Sequence, residues 1–421
     1  AALKPITSSA NPAMSLYTGD SIQSSESSSL SSSYIATSPS FGNIISQGLM
    51  GEVGYAYDAL NGGFKYDMAS RVNFTNDYEA LIDLSSELSK LESPVSTSNN
   101  NFIEEGFSGA VSPLFKTNNL EATLTIGSNS LPVQSFFGSS IDSAVDLSDF
   151  ETSYLKSEEG GLSLSANYGL ENARLIIGVS NPVKHNNYSD SVIGSQQSII
   201  ASLEYGDLSD TSVTLMSGIT QEKDNLLGLQ GSDAFSTVGA KSNTVFSALK
   251  AQSNFNDNLT LTGIATLANT NMNQPELSFI DSANNVRSSS LALVASQKNI
   301  TGDDHLSLSV SQPDRIHGGE MSIRMSNLAQ SNGDISYRNK NIELKATGRQ
   351  LVYGLSYRKD LDERFGFSLK HVFTTDLNHM NPIASVKSSY LGLQYQDLKL
   401  GYNIDSHNSL ESAELSYKYS F

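Results

Sequence analysis

Cysteine is absent from the 421 residues, which removes disulfides, thiol nucleophiles and thiolate metal sites together. Tryptophan is absent too. Long apolar runs are missing: mean hydropathy is −0.25, and no stretch approaches the roughly 20 apolar residues that a membrane-spanning helix needs. Positive charge is scarce, with 26 Lys and Arg against 44 Asp and Glu, a net charge of −18. Nucleic-acid binding requires clustered Lys and Arg and is therefore not expected. The acidic residues are dispersed, which suits a solubilising or pore-lining role better than an interaction tail.

Catalytic patterns are missing as well. No Gly-Thr-Ser, His-Gly-Thr-His or Gly-x-Ser-x-Gly occurs, so the nucleophile contexts of serine hydrolases are lacking. The six histidines (His185, His305, His317, His371, His379 and His407) form neither an i, i+4 pair nor HExxH, and no zinc site is expected. Asp303-Asp-His305 and Asp376-Leu-Asn-His379 could hold a cation at a loop, but surface turns, where Asp and Asn are favoured, account for them better. His317-Gly-Gly319 reads as a turn on the same ground. Leu226-Leu-Gly-Leu-Gln-Gly231 has no strand–loop–helix context for a nucleotide, and no EF-hand spacing appears. The expectation is a protein without catalytic residues, cofactor or metal.

What is present is period-two alternation from Gly51 onward. It runs through Leu120–Ile126, Leu162–Tyr168, Ile200–Tyr205, Leu259–Ile264, Leu306–Val310, Leu351–Tyr357, Phe365–Leu369, Tyr390–Tyr395 and Leu398–Tyr402. Side chains at 180° per residue give one apolar and one polar face. Turn residues such as Asn254–Asn258 and Gly302–Asp304 separate the runs, and Gly206–Asp210 joins Tyr205 to Val213 as a hairpin. Thr220–Asn243 and Asn269–Val286 read as long polar loops. Asn76–Lys90 breaks the pattern with apolar spacings of three and four, and predicts a short helix.

Residues 1–50 stand apart. Ser21–Ser33 is Ser-rich, a flexible-linker composition, and Phe41–Met50 can form an amphipathic turn or two inside the sheet or leading into it. The absence of an initiating Met and of an apolar leader at Ala1-Ala2-Leu3 reads as a processed chain or a piece of a longer precursor.

The last strand is the sharpest signal. Ala413, Leu415, Tyr417, Tyr419 and Phe421 share one face, and Ser412, Glu414, Ser416, Lys418 and Ser420 the other. Aromatic residues suit the interfacial girdle of a membrane barrel, and the 18 Tyr and 17 Phe can take the place of Trp there. The pattern resembles the terminal signal read by the outer-membrane barrel assembly machinery, with Leu415, Tyr417, Tyr419 and Phe421 as its residues. The expected fold is therefore all-β: an antiparallel transmembrane β-barrel over 51–421 of about 12–18 strands, preceded by a linker or lumen segment over 1–50. Its expected location is the bacterial outer membrane, among outer-membrane lipids and lipopolysaccharide.

Two stretches are similar to a narrower family. Ser40-Phe41-Gly-Asn-Ile with Tyr55-Ala-Tyr-Asp58 through Asp67, and Val310-Ser-Gln-Pro-Asp-Arg315, Gly319-Glu-Met-Ser and Thr347-Gly-Arg349 through Tyr357, resemble the C-terminal autotransporter-like barrel region of alphaproteobacterial subtilisin-like serine proteases. Gly62 stands where that family has a basic residue. The resemblance implies a non-catalytic barrel that anchors or translocates an N-terminal passenger, such as a protease. Two alternatives stay open: a cation-favouring diffusion porin, and a surface-layer, filament or adhesin β-protein outside the membrane.

Overall fold

The computed structural model describes residues 35–58, 62–74, 110–117, 119–126, 136, 154, 161–186, 189–206, 211–231, 235–275, 278–327, 336–361, 365–380, 385–395, 398–406 and 410–417. Ser21–Ser33, the helix expected over Asn76–Lys90, Tyr419 and Phe421 lie outside them.

The N-terminal elements are short: β1 (Ile35–Thr37), a 3-10 turn at Pro39–Phe41, helix α1 (Ile44–Gly48), β2 (Val53–Asp58), β3 (Gly62–Asp67) and β4 (Val72–Phe74). Longer strands follow as β5 (Ala110–Lys116), β6 (Leu120–Ile126), β7 (Gly161–Gly169), β8 (Ala173–Asn186), β9 (Ser189–Gly206) and β10 (Thr211–Lys223). After the two-residue β11 (Gln230–Gly231) come β12 (Lys241–Asn256), β13 (Leu259–Met272), β14 (Ile280–Lys298) and β15 (Asp304–Ser326). The series ends with β16 (Tyr337–Glu343), β17 (Leu351–Asp360), β18 (Phe365–Thr375), β19 (Val386–Tyr395), β20 (Leu398–Asp405) and β21 (Leu410–Tyr417). No helix among the described residues is long and apolar enough to cross a membrane.

Sixteen of these strands form one antiparallel sheet, from β5 to β21, in which each strand pairs with its predecessor. Two breaks occur in that order: β11 belongs to a small sheet with β1 and β4, and β16 pairs only with the far half of β15. β2 and β3 form a separate hairpin, so the first described strand of the large sheet is Ala110–Lys116.

Each alternating run from Leu120–Ile126 to Leu398–Tyr402 falls within a strand, and the long central strands hide the polar row. Along β10, Val213, Leu215 and Ile219 are exposed while Ser212, Thr214, Thr220 and Glu222 are buried. The neighbouring strands repeat this, because the register pairs Ile199 with Ile219, Ile219 with Val245, and Leu215 with Leu249. The hidden side is stitched by hydroxyls: Thr244 to Thr270 (2.8 Å), Thr266 to Ser290 (2.6 Å) and Ser296 to Ser307 (2.6 Å). A water-soluble sheet buries its apolar face. This one buries the polar face and shows the apolar one, the arrangement that a transmembrane barrel requires.

The connections are unequal. Seven at one end of the sheet span only two to five residues between strands, among them 170–172, 257–258 and 299–303. The connections at the other end include the longer spans 127–160, 224–240, 273–279, 327–350 and 376–385, with two short ones (187–188 and 406–409). Residues 220–243 are not the polar loop that composition suggests. β10 extends to Lys223, β12 starts at Lys241, and Leu226, Leu227, Leu229 and Phe235 between them are fully or almost fully buried. His317-Gly-Gly319 is likewise no turn: it lies inside β15, where Gly319 takes φ +123° opposite a register shift in β14. Glycine accommodates that backbone at no steric cost.

Candidate functional site: a plugged mouth

The outward face has three zones. Its belt on β12 runs from Val245 to Phe255, about 33 Å of strand at roughly 3.3 Å per residue, which a tilt of about 40° converts into about 25 Å of height. Aromatics gather beside the short turns: Tyr168, Tyr205, Phe255 and Tyr395 are exposed there, and Tyr357 packs on Phe367 with ring centroids 5.7 Å apart. Gln197, Gln221, Asn243, Asn269 and Asn271 mark the opposite rim. The terminal strand joins this pattern. Leu415, two-thirds exposed, pairs with Leu400, and Tyr417 pairs with Leu398 beside Tyr395. Leu415 therefore lies on the outward row, and Tyr417 is two residues further towards the short-turn end.

At the long-connector end the chain turns back on itself. β1 adds to β11 through Ile35–Gly231 and Ala36–Gln230, and Ser38 donates to the Leu227 carbonyl (2.8 Å). Phe41, Ile44, Ile45 and Leu49 are buried in one apolar cluster with wall residues Met272, Ile316 and Ile342. Each side chain of that size contributes about 1.5–3 kcal/mol when fully buried. Polar contacts then fix the position. Glu52 sits between Arg338 (2.7 Å) and Lys340 (2.8 Å) of β16; hydrogen bonds from Lys340 and Arg338 hold its carboxyl below the usual range against the opposing effect of burial. Ser326 exchanges hydrogen bonds with the Tyr55 backbone, accepting from its N–H (3.1 Å) and donating to its carbonyl (2.6 Å). Two further points of the chain reach the wall: Lys250 donates to the Phe136 carbonyl (2.9 Å) and Gln196, beside the rim, to that of Tyr154 (2.7 Å).

The stretches that carried the family resemblance meet at this mouth. Ser40 donates to Asp314 (3.3 Å), Thr347 to Asn43 (3.2 Å), and Arg315 to the carbonyls of Gly348 (2.8 Å) and Ala346 (2.6 Å). Gly42, at φ +54°, lies so close to the backbone of residues 378–379 that a Cβ would sit 2.8 Å from the Asn378 carbonyl oxygen.

His379 ties this knot. Its Nδ1 accepts the Gln350 N–H (3.0 Å), which leaves Nε2 to carry the proton and donate it to the Asp314 carbonyl (3.0 Å). Read from sequence as part of a surface turn, it is instead completely buried. Burial, aided by nearby Arg315 and Arg349, pushes its pKa down to about 4, with the Asp314 hydrogen bond opposing. The imidazolium is therefore favoured in the unfolded chain. Stability is full above about pH 6.5 and falls as pH drops towards 4, by up to roughly 3 kcal/mol. The gel-shift melting midpoint of the purified barrel is expected to fall over that window. His379→Asn keeps an acceptor but cannot titrate, and should flatten the dependence; an unchanged profile would remove His379 as its source.

Among the described residues no group of His, Asp and Glu could hold a metal ion. Asp304 does what its turn needs, accepting from Ile300 N–H (2.6 Å), the Thr301 hydroxyl (2.6 Å) and the Tyr357 hydroxyl (3.0 Å).

The inverted faces, the aromatic band and the turn asymmetry define an outer-membrane β-barrel, here one with a plugged mouth. No protein-family model and no curated protein matches the sequence. Solved structures with similar shape include the ferric-catecholate import receptor Fiu of E. coli K12 (open form), with TM-score 0.40, 10% identity, and 70% of this chain against 56% of that one. The outer membrane channel DcaP of Acinetobacter baumannii aligns with TM-score 0.33 and 11% identity over 73% of this chain and 99% of that one. OccK11 of Pseudomonas aeruginosa gives TM-score 0.36 and 10% identity, over 70% and 74%. This chain thus spans a little over half the length of the Fiu receptor. Such identities and TM-scores assign neither ligand nor function.

Proposed function

We propose that this barrel anchors an N-terminal passenger at the cell surface, with the segment from Ile35 to Asp58 acting as the plug that holds the junction in place. The observation that supports this reading is where the segment docks. Its described contacts with the large sheet and the connectors of that sheet gather at the long-connector end, and outer-membrane barrels turn their longer loops outward. β21 runs from that end to the short-turn end, so the closing strand finishes on the opposite, periplasmic side. A chain entering at Ile35 meets the barrel from outside. The resemblance to the barrel regions of subtilisin-like proteases makes a protease the natural candidate passenger, and the barrel assembly machinery the expected partner of the terminal strand.

The channel reading has one observation in its favour, the hydroxyl-rich inner wall, but the apolar cluster under α1 obstructs a wide aqueous path at the mouth. An epitope fused before Ala1 tests the proposal in intact Gram-negative cells. Antibody should reach it without permeabilisation, and added protease should remove it. An epitope reached only after the outer membrane is opened would overturn the outward orientation.

A further inference from the structure

The outward wall holds a charge pattern that its composition does not foretell. Although acidic residues outnumber basic ones 44 to 26, the outward rows of β9 from Gln197, of β10, of β12 and of β13 contain no carboxylate among the described residues. Two basic side chains appear there instead, both at the long-connector rim. Lys223 and Lys241 are cross-strand partners, both exposed, one step above the Gln221–Asn243 rung (2.9 Å) that tops the apolar belt. Arg287 lies two strands along on the same face, opposite Asn269.

Like charges placed directly opposite destabilise a sheet, with Cβ atoms only about 5 Å apart. Among the described residues nothing relieves this pair. Neither lysine makes an ion pair among the described residues, and the adjacent acids are otherwise engaged. Glu222 points inward, accepting from Leu227 N–H (3.2 Å) and the Ser242 hydroxyl (3.4 Å). Asp224 turns into the connector to take the Gly239 N–H (2.6 Å).

We infer that Lys223 and Lys241, with Arg287 flanking, form a site for the phosphate of a membrane glycolipid in the leaflet at the long-connector end. The inference rests on the outer-membrane reading. The belt would take the acyl chains, the Gln221–Asn243 rung would lie at the interface, and the ammonium pair would hold the headgroup phosphate by charge-assisted hydrogen bonds. Bound phosphate would also turn a repulsive rung into a bridged one, so lipid should stabilise the sheet.

The test uses the full chain refolded in zwitterionic detergent, with bis-phosphorylated lipid A as probe, native mass spectrometry for retention and the heat-modification midpoint for stability. The wild-type barrel should retain lipid A and melt higher with it. Lys223→Gln with Lys241→Gln should weaken retention about tenfold and abolish the lipid-induced shift, while the exposed connector variant Lys345→Gln behaves as wild type. Should the double variant fail to refold, Lys223→Gln alone should lose part of the affinity and Lys241→Arg should keep it. Dephosphorylated lipid A should bind no better to wild type than to the double variant. Equal retention by both proteins overturns the site, as does equal stabilisation by inorganic phosphate, which would mark a free-anion site. A wild-type chain that shows no heat-modifiable barrel would instead sink the membrane reading itself.

Discussion

Ile45→Asp will free the N-terminal segment while leaving the barrel folded. Ile45 is completely buried in the cluster shared with Phe41, Ile44 and Leu49, and no cation of the described chain is recorded against it. An unpaired carboxylate there loses the isoleucine's transfer energy and adds the cost of a desolvated charge, together about 3–5 kcal/mol. The large sheet does not depend on this residue, because its strands hydrogen-bond to one another and not to α1. The expected outcome is normal heat modification with fast tryptic cleavage after Arg71, against slow cleavage in wild type. Loss of heat modification would show that the segment is part of the barrel's folding core; slow cleavage in both would show that Ile45 does not hold the plug.

The wall was readable from sequence to the extent that its two faces differ. β6 is Leu120–Ile126 in both the pattern and the structure, because Leu, Ala, Leu and Ile alternate there with Glu and Thr. β14 was harder to read, since Leu291-Ala-Leu-Val-Ala295 has apolar residues on both faces: Leu291 and Leu293 look outward while Ala292 and Val294 face the buried side. β12 hides its period in the same way, with Phe246 and Ala248 inward between Val245, Ser247 and Leu249. The plug cost wall strands their alternation, so the function of the lumen partly erased the signal of the sheet around it.

The mouth itself was legible only in fragments. Phe41–Met50 showed its amphipathic character, but the partners of Ser40, Glu52 and Tyr55 lie about 270 to 290 residues further on, beyond any local pattern. His379 looked like turn chemistry because Asp376 and Asn378 flank it. Both do adopt positive φ in a turn, yet that turn is pressed against Gly42 and carries its histidine inward. The acidic balance, read as dispersed, is sorted by side: among the described residues the outward rows of β9 from Gln197, of β10, of β12 and of β13 escape it altogether.

The sharpest difference between a membrane barrel and a surface-layer or filament protein is what arginine does at Leu249. That side chain is 46% exposed on the outward row, near the middle of the Val245–Phe255 belt and opposite Leu215. On a water-facing sheet, Leu249→Arg would change stability by less than about 0.5 kcal/mol and improve solubility. In a bilayer the same substitution should cost about 2–4 kcal/mol at mid-depth, falling to about 0–1 kcal/mol near the interface. Asn243→Arg, on the same row of the same strand but at the rim, supplies the interfacial comparison. Reversible urea unfolding in phosphatidylcholine vesicles should therefore rank Leu249→Arg well below Asn243→Arg, with Asn243→Arg close to wild type. Equal stabilities for the two would mean that the exposed leucines meet water, and the inverted sheet would then need a protein partner to cover it.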